Sequence, residues 1–135
     1  MPSITKTTND NGGVLAAGGP EPVFRDELVT FAGAATFAAG CILARDSSTL
    51  KLVVFVKGGA TNGNGIPKAV LTAPLTATGA GDVKTRVLIE GKVKKERLVI
   101  NADGDDSNID AAVVDQLRAF GIVPESTKQL AVLDP

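Results

Sequence analysis

The strongest candidate for chemistry in this sequence is the segment Thr78-Gly79-Ala80-Gly81-Asp82. In a catalytic setting, an aspartate beside paired glycines could act as a base while glycine amides at a helix start held an anion. That chemistry requires a helix immediately downstream. The residues that follow, VKTRVLIEGKV, are instead rich in side chains that favour a strand. The pattern therefore predicts a tight hairpin turn at residues 78–82.

Two further segments carry the residue types of ligand sites. The glycine-rich stretch 58–65 lacks the Gly-Lys-Ser/Thr sequence and the helix of a phosphate loop, so we interpret it as a flexible loop. Residues 101–110 hold enough oxygen ligands for calcium, but Asp106 stands where an EF-hand loop needs glycine and no glutamate follows six residues later. Helix capping explains these acids more simply, and we expect no metal or cofactor.

Few side chains are available for catalysis. The 135-residue chain contains no His, Trp or Tyr and a single Cys. Without His, activation of a nucleophile by an imidazole and a His-bearing metal site are both excluded. Cys41 lies in the apolar run FAAGCILA, which predicts a buried and unreactive thiol. We therefore expect a protein that is not an enzyme and has no small-molecule substrate.

Charge is balanced overall but unevenly distributed, with 15 acidic against 14 basic residues. Residues 84–100 contain six basic and two acidic residues, whereas residues 101–135 contain seven acidic and two basic residues. The even total favours neither nucleic acid nor an anionic membrane as a partner. The basic segment is either a solvated strand face or one of two complementary faces on neighbouring copies of this subunit.

Residues 1–26 have the composition of a flexible arm. They contain the turn-rich stretches 9–13 and 18–22 and show no sustained helix or strand periodicity. Apolar side chains are nevertheless spaced along the segment as if to touch a partner. A linker or an expression leftover is the alternative interpretation. The β-rich domain is expected to span residues 27–135.

From Leu28 onward, short apolar runs separated by Gly, Asn, Asp and Pro predict a mainly β domain, a small barrel- or sandwich-like structure. Arg45–Ser48 suits a hairpin turn, and Gln129–Leu133 is a candidate edge strand. Gly91 is expected to separate the last two of six strands. These strands are Leu28–Phe31, Gly40–Ala44, Leu50–Val56, Ala69–Thr76, Val83–Glu90 and Lys92–Ile100.

One C-terminal helix is predicted over about residues 108–120. Ser107 can cap its N-terminus, and Gly121 provides the left-handed stop after its last residue. The apolar face is expected to consist of Ile109, Ala112, Val113, Leu117 and Phe120.

Several of these elements, in this order, are typical of one family. A glycine-led strand at 40–44 is followed by a strand and Gly-rich loop at 50–65 and by an apolar strand ending Thr-Ala-Thr at 78. The run VLIEGKV at 87–93 and a helix closing on Gln116–Val123 complete the pattern. Over about residues 28–123 the chain resembles the lambda-type head decoration proteins of tailed bacteriophages.

The resemblance implies a β-tulip domain with a flexible arm that binds, as a trimer, to local threefold positions outside the expanded head and stabilises it against DNA pressure. The implied location is the outer capsid surface of the virion, after synthesis in the host cytoplasm. The implied partners are the major capsid protein and further copies of the chain, with no nucleic acid or membrane. The alternative function is a small β interaction module of a phage tail, baseplate or other host complex. The expected capsid contacts are Ile4, Thr5, Val14, Leu15, Val23 and Phe24.

Overall fold

The computed structural model describes residues 13–16 and 21–126 of the chain. The predicted contacts Ile4 and Thr5 and the candidate edge strand Gln129–Leu133 lie outside the described residues.

Eight strands and one α-helix make up the described part, so the mainly β class with one C-terminal helix is confirmed. The strands are β1 (Val23–Phe31), β2 (Ala35–Phe37), β3 (Ile42–Arg45), β4 (Leu52–Val54), β5 (Pro67–Leu71), β6 (Leu75–Ala77), β7 (Gly81–Lys94) and β8 (Ile122–Glu125). The helix α1 is Ala111–Ala119, and a short 3-10 turn covers Lys95–Arg97.

Five of the strands close into a barrel in the order β1-β4-β3-β5-β7, because β7 also pairs with β1. Strand β8 adds to β7 in parallel, and β2 with β6 forms a separate antiparallel ribbon. Within this ribbon the ring of Phe37 stacks on Phe31 of β1, with centroids 4.3 Å apart. The ribbon is thereby joined to the barrel core.

The barrel wall is buried on both faces along part of its circumference. Alternate residues of β3 and β5 point to opposite sides: Leu43 and Leu71 enter the barrel interior, whereas Ile42 and Val70 pack outward beneath other elements. Strands buried on both faces read as continuous apolar runs rather than alternating ones. This explains why the sequence of β3 carries no polar residue before Arg45.

The outward cluster is covered by three separate segments. Val113 and Leu117 of α1, Ile122 of β8 and Val14 all belong to it, and each is at least 98% buried. Val14 belongs to a short segment that lies alongside β7, since Leu15 forms an antiparallel bridge to Val93 of that strand. Residues 14–16 and β8 therefore both lie against the C-terminal part of β7.

Strand β7 is longer than expected, because Gly91 does not end it. Gly91 adopts φ 147°, a value that glycine reaches without a steric penalty. Beside it, the register with β1 shifts between Val23 and Phe24, which marks a bulge. The expected strand Lys92–Ile100 is correspondingly wrong beyond Lys94, where the 3-10 turn begins.

The predicted hairpin turn at Arg45–Ser48 is confirmed, whereas the turn predicted at 78–82 is not a hairpin, because β6 pairs with β2 and not with β7. The carboxylate of Asp46 accepts hydrogen bonds from the amides of Ser48 and Thr49 at 2.8 and 3.0 Å, which shapes the turn between β3 and β4. Residues 78–80 form bends between β6 and β7, so no helix follows the glycines at 79 and 81.

Helix α1 begins later than predicted and has a different cap. Asp110, rather than Ser107, is the N-cap: its carboxylate accepts from the amide of Val113 at 3.1 Å. The stop at Gly121 is confirmed, with φ 89° and a bond from its amide to the carbonyl of Arg118. Phe120 does not join the buried face; it is 38% exposed.

The expected domain boundary at residue 26 also differs from the structure. Strand β1 starts at Val23, and Val14 is 1% exposed within the core. The described parts of the segment 1–26 thus pack on the domain, because both β1 and Leu15 pair with β7.

Leu117→Ala is expected to lower the free energy of unfolding by about 2–5 kcal/mol, because a fully buried leucine is replaced by a cavity beneath the helix. Asp115→Ala, on the exposed face of the same helix, is the matched control and should change stability by less than about 0.5 kcal/mol. Thermal melts followed by circular dichroism measure both. Equal melts for the two variants would show that the helix does not pack on the barrel.

Candidate functional site

The predicted contact residues that the structure describes fall into two groups. Val14 is buried in the core and Leu15 pairs with β7, so neither forms a free apolar surface. Val23 is 40% exposed at the start of β1, and Phe24 is partly buried beside it. Their contact with a capsid stays a prediction, and only Val23 presents a large apolar surface to solvent.

Phe24 and Arg86 form a local cation–π pair. The guanidinium carbon of Arg86 lies 4.1 Å from the centre of the Phe24 ring. Both residues lie on the paired strands β1 and β7, near the Asp26–Arg86 register position. One cation of the basic segment is therefore held against an aromatic ring of the same chain.

An open groove of about 440 Å³ lies where β1 and β8 begin, beside Gly91 of β7. Val23 and Val123, both about 40% exposed, line it together with Gly91 and Gly121. A Cβ at Gly121 would lie 3.0 Å from Cγ of Glu90, so a side chain at this position would crowd Glu90. Gly91 is buried and Gly121 is half-buried, so the exposed apolar surface of the groove comes from the two valines.

The charged residues of this groove are not equally compensated. Lys92 Nζ lies 3.0 Å from Glu125 of β8, which neutralises it. Glu90 and Glu21 also line the groove, and neither forms an ion pair within residues 13–16 and 21–126. The groove therefore carries uncompensated negative charge on an apolar surface.

An exposed aromatic, Phe120, directly precedes Gly121 of the groove. The ammonium of Lys68 sits 3.6 Å above the Phe120 ring, and Gln116, one turn earlier on α1, donates to the carbonyl of Gly65. Sequence periodicity had placed Phe120 in the buried face. Its position directly before the Gly121 stop turns it outward, where Lys68 covers one face of the ring.

The tip of the β3–β4 hairpin displays a leucine in a left-handed conformation. Leu50 has φ 65° and is 66% exposed. The conformation is held by Arg45, whose guanidinium donates to the Leu50 carbonyl at 2.8 Å and pairs with Glu27. Left-handed geometry is costly for a leucine, so the surrounding hydrogen bonds must stabilise it.

The aspartate of the glycine motif is not configured as a base. Lys51 Nζ donates to Asp82 at 2.6 Å and Thr30 donates at 2.9 Å. These hydrogen bonds hold the pKa of Asp82 below its usual value. A carboxylate that serves as a general base near neutral pH needs the opposite shift.

The acids of residues 101–110 serve local structure. Asp105 accepts from the amide of Ser107, and Asp110 binds both Lys57 and the helix N-terminus. Hydrogen bonds from Ser107 and Lys57, respectively, lower the pKa values of these two carboxyls. Within the described part of the chain, no group of three His, Cys, Asp or Glu side chains is placed to hold a metal ion.

No helix of the described residues is long and apolar enough to cross a membrane.

A comparison with family models matches residues 4–122 to the bacteriophage lambda head decoration protein D family. The fold class and the extent of this match define a structural protein of the phage capsid. The match spans most of the sequence, and the chain belongs to the lambda head decoration protein D family. No curated protein matches the chain at the significance required.

The family membership implies a structural rather than an enzymatic role. Head decoration proteins are structural and associate with the phage capsid. What remains to be assigned is the surface through which this chain meets that capsid.

Cys41 is expected to be unreactive in the folded protein. Burial raises the pKa of its thiol to about 12, so the thiolate fraction at pH 8 is about 10⁻⁴, against roughly a quarter for an unfolded thiol of pKa about 8.5. Because the folded pKa is the higher one, this burial stabilises the fold below about pH 8.5, and the contribution is lost as the pH rises toward 12.

Iodoacetamide labelling at pH 8 measures this directly. We expect labelling of native protein to be at least about 1,000-fold slower than labelling in guanidinium. Similar rates in the two conditions would mean that the β3 region opens readily.

Proposed function

We propose that this chain binds as a trimer to the outside of the expanded phage head, at local threefold positions, and stabilises the shell against internal DNA pressure. The family match over residues 4–122 carries the proposal. A closed barrel supports it, because closure leaves few free strand edges for non-specific pairing between copies. Contact with the capsid then depends on specific surfaces and on chain segments that leave the domain.

The positions of the first and last described segments support a one-sided attachment. Val14 receives a hydrogen bond from the amide of Lys94, and Glu125 pairs with the same residue on the other side of β7. Residues 14–16 pair with β7 in antiparallel orientation, so the N-terminal end of this segment lies near Lys94. Strand β8 is parallel to β7, so its C-terminal end also lies near Lys94. Val14 and Glu125 therefore lie at the same end of β7.

Residues 1–12, with Ile4 and Thr5, are proposed as the arm that reaches the major capsid protein. An extended segment can add to an exposed sheet edge of a partner, where backbone hydrogen bonds supply affinity. Three arms on one trimer would act together through their high effective concentration. Val14 and Leu15 are not part of this proposal, since the core and β7 already use them.

Complementary charged faces between copies are supported only in part. Lys92 of the basic segment pairs with Glu125 within one chain, and Asp110 of the acidic segment pairs with Lys57. Lys84, Arg86 and Arg97 of the basic segment stay exposed, so they are cations that can face a neighbouring copy.

Purified protein is expected to sediment with expanded heads of the phage that encodes it, and to saturate at three copies per local threefold position. Light scattering of the free protein measures whether the trimer exists before binding. Decorated heads should also retain DNA at higher temperature than undecorated heads. Protein that stays in the supernatant at saturating concentration would contradict the proposal and favour a tail or baseplate module.

Removal of residues 1–12 is expected to abolish sedimentation with heads and to leave the melting temperature unchanged, because the described core begins at Val14. The matched variant Val14→Ala should behave oppositely: it lowers the free energy of unfolding by about 0.5–3 kcal/mol and keeps the arm. Full binding by the truncated protein would place the contact on the barrel alone.

A further inference from the structure

We propose that Asn62 is a modification site, at which the folded protein exchanges the side-chain amide for a carboxylate without an enzyme. Asn62 and Gly63 form an Asn-Gly pair in the loop between β4 and β5. Asparagine is one of the thermolabile residue types, and the glycine that follows offers a main-chain nitrogen that no Cβ shields. The reaction needs no partner and is independent of capsid binding.

The chemistry uses two groups of this pair and one water molecule. The amide nitrogen of Gly63 gives up its proton and bonds to Cγ of Asn62, while the bond from Cγ to the side-chain nitrogen breaks and ammonia leaves. The resulting succinimide ring takes up water at one of its two carbonyls. Opening at one carbonyl gives aspartate, and opening at the other gives isoaspartate, in which the main chain runs through the former side chain. The net change is the exchange of ammonia for water.

Both reacting groups are available in the folded loop. Asn62 is exposed, and its side-chain amide forms no hydrogen bond with the described residues. The amide of Gly63 likewise donates to no carbonyl of the described residues. Asn62 has φ 47° and Gly63 has φ 79°, the left-handed pair typical of Asn-Gly turns. The main-chain carbonyl of Asn62 is held by the amide of Ser47 at 2.9 Å, which leaves the side chain free to turn toward Gly63.

A second Asn-Gly pair in the same loop, Asn64–Gly65, is restrained by the fold. Oδ1 of the half-buried Asn64 accepts a hydrogen bond from the amide of Thr61 at 3.1 Å. Its side chain also lies so close to Gly59 that a Cβ on that glycine would overlap Oδ1. Loss of such a hydrogen bond on the way to the succinimide slows the reaction about two- to tenfold. The fold therefore favours modification at Asn62 over the same chemistry at Asn64.

Isoaspartate at position 62 is expected to open the turn that contains it. The amide of Asn64 donates to the carbonyl of Thr61 at 3.0 Å, so residues 61–64 form a hydrogen-bonded turn with Asn62 and Gly63 at its centre. Isoaspartate inserts one extra main-chain atom into this turn and adds a negative charge. Gly63 has little room to absorb the extra length, because a Cβ on it would lie 3.2 Å from the carbonyl of Arg45.

Peptide mapping by mass spectrometry tests the site. Native full-length protein and the same protein in guanidinium are incubated side by side at mildly alkaline pH. Both asparagines lie in the tryptic peptide 58–68, so fragment ions assign each conversion to position 62 or 64. The pair Asn11–Gly12, which lies outside the described residues, falls in a different peptide. Denatured protein serves as the reference, because there the two pairs differ only in their sequence neighbours.

The ratio of the rate at Asn62 to the rate at Asn64 is expected to be about two- to tenfold higher in native than in denatured protein. An equal or lower ratio in native protein would overturn the proposal. So would native protein whose Asn62 stays intact while the denatured sample converts.

Amide exchange measures the consequence for the turn. In the isoaspartate form, separated by chromatography, the amide of Asn64 should lose protection. The matched control is Asn62→Gly, which keeps the left-handed conformation without a side-chain amide and should retain this protection after the same incubation. Full protection of Asn64 in the isoaspartate form would show that the turn tolerates the product and would refute its opening.

Discussion

Backbone hydrogen bonding along β7 is the interaction on which the rest of the structure depends. This one strand pairs with β1, β5 and β8 and receives residues 14–16 at its C-terminal part. Closure of the barrel, attachment of β8 and burial of Val14 all use the same fourteen-residue element. The bulge beside Gly91 allows β7 to serve two sets of partners, because the strand changes direction between the barrel and the segments at its end.

Several elements could be predicted from the sequence because they depend on local chemistry. The Asp46 turn, the Gly121 stop and the apolar runs of β3 and β5 are all set by nearby residues. The errors arise where distant partners decide. The sequence suggests a break at Gly91, but β7 continues through it because Gly91 pairs with Ile122 of β8. The N-cap of the helix is Asp110 rather than Ser107. The carboxylate of Asp110 also binds Lys57, which lies in a distant loop.

The same distinction applies to the candidate site. Val14 and Val23 look alike in the sequence, since each begins a short apolar pair in a segment rich in glycine and proline. Val14 is buried because it packs in the apolar cluster beneath α1. Val23 is exposed because it lies at the bulge in the pairing of β1 with β7. The groove is formed by residues near positions 22, 91 and 122. These positions are far apart in the sequence, so no local sequence pattern could indicate the groove. Its local signals are Gly91 and Gly121, which sequence reasoning interpreted only as a strand break and a helix stop.

The two segments that flank Val93 determine how the domain bears tension. Leu15 lies on one side of this residue and Pro124 on the other, so the first and last described strands are separated by two inter-strand spacings, about 10 Å. A pull on the N-terminal segment acts along β7, so the bonds from Ala16 to Lys92 and from Lys94 to Val14 are sheared together rather than opened one after another. Residues 14–16 and β8 are thus both anchored side by side along the same strand, and tension transmitted through either segment loads its hydrogen bonds to β7 in shear.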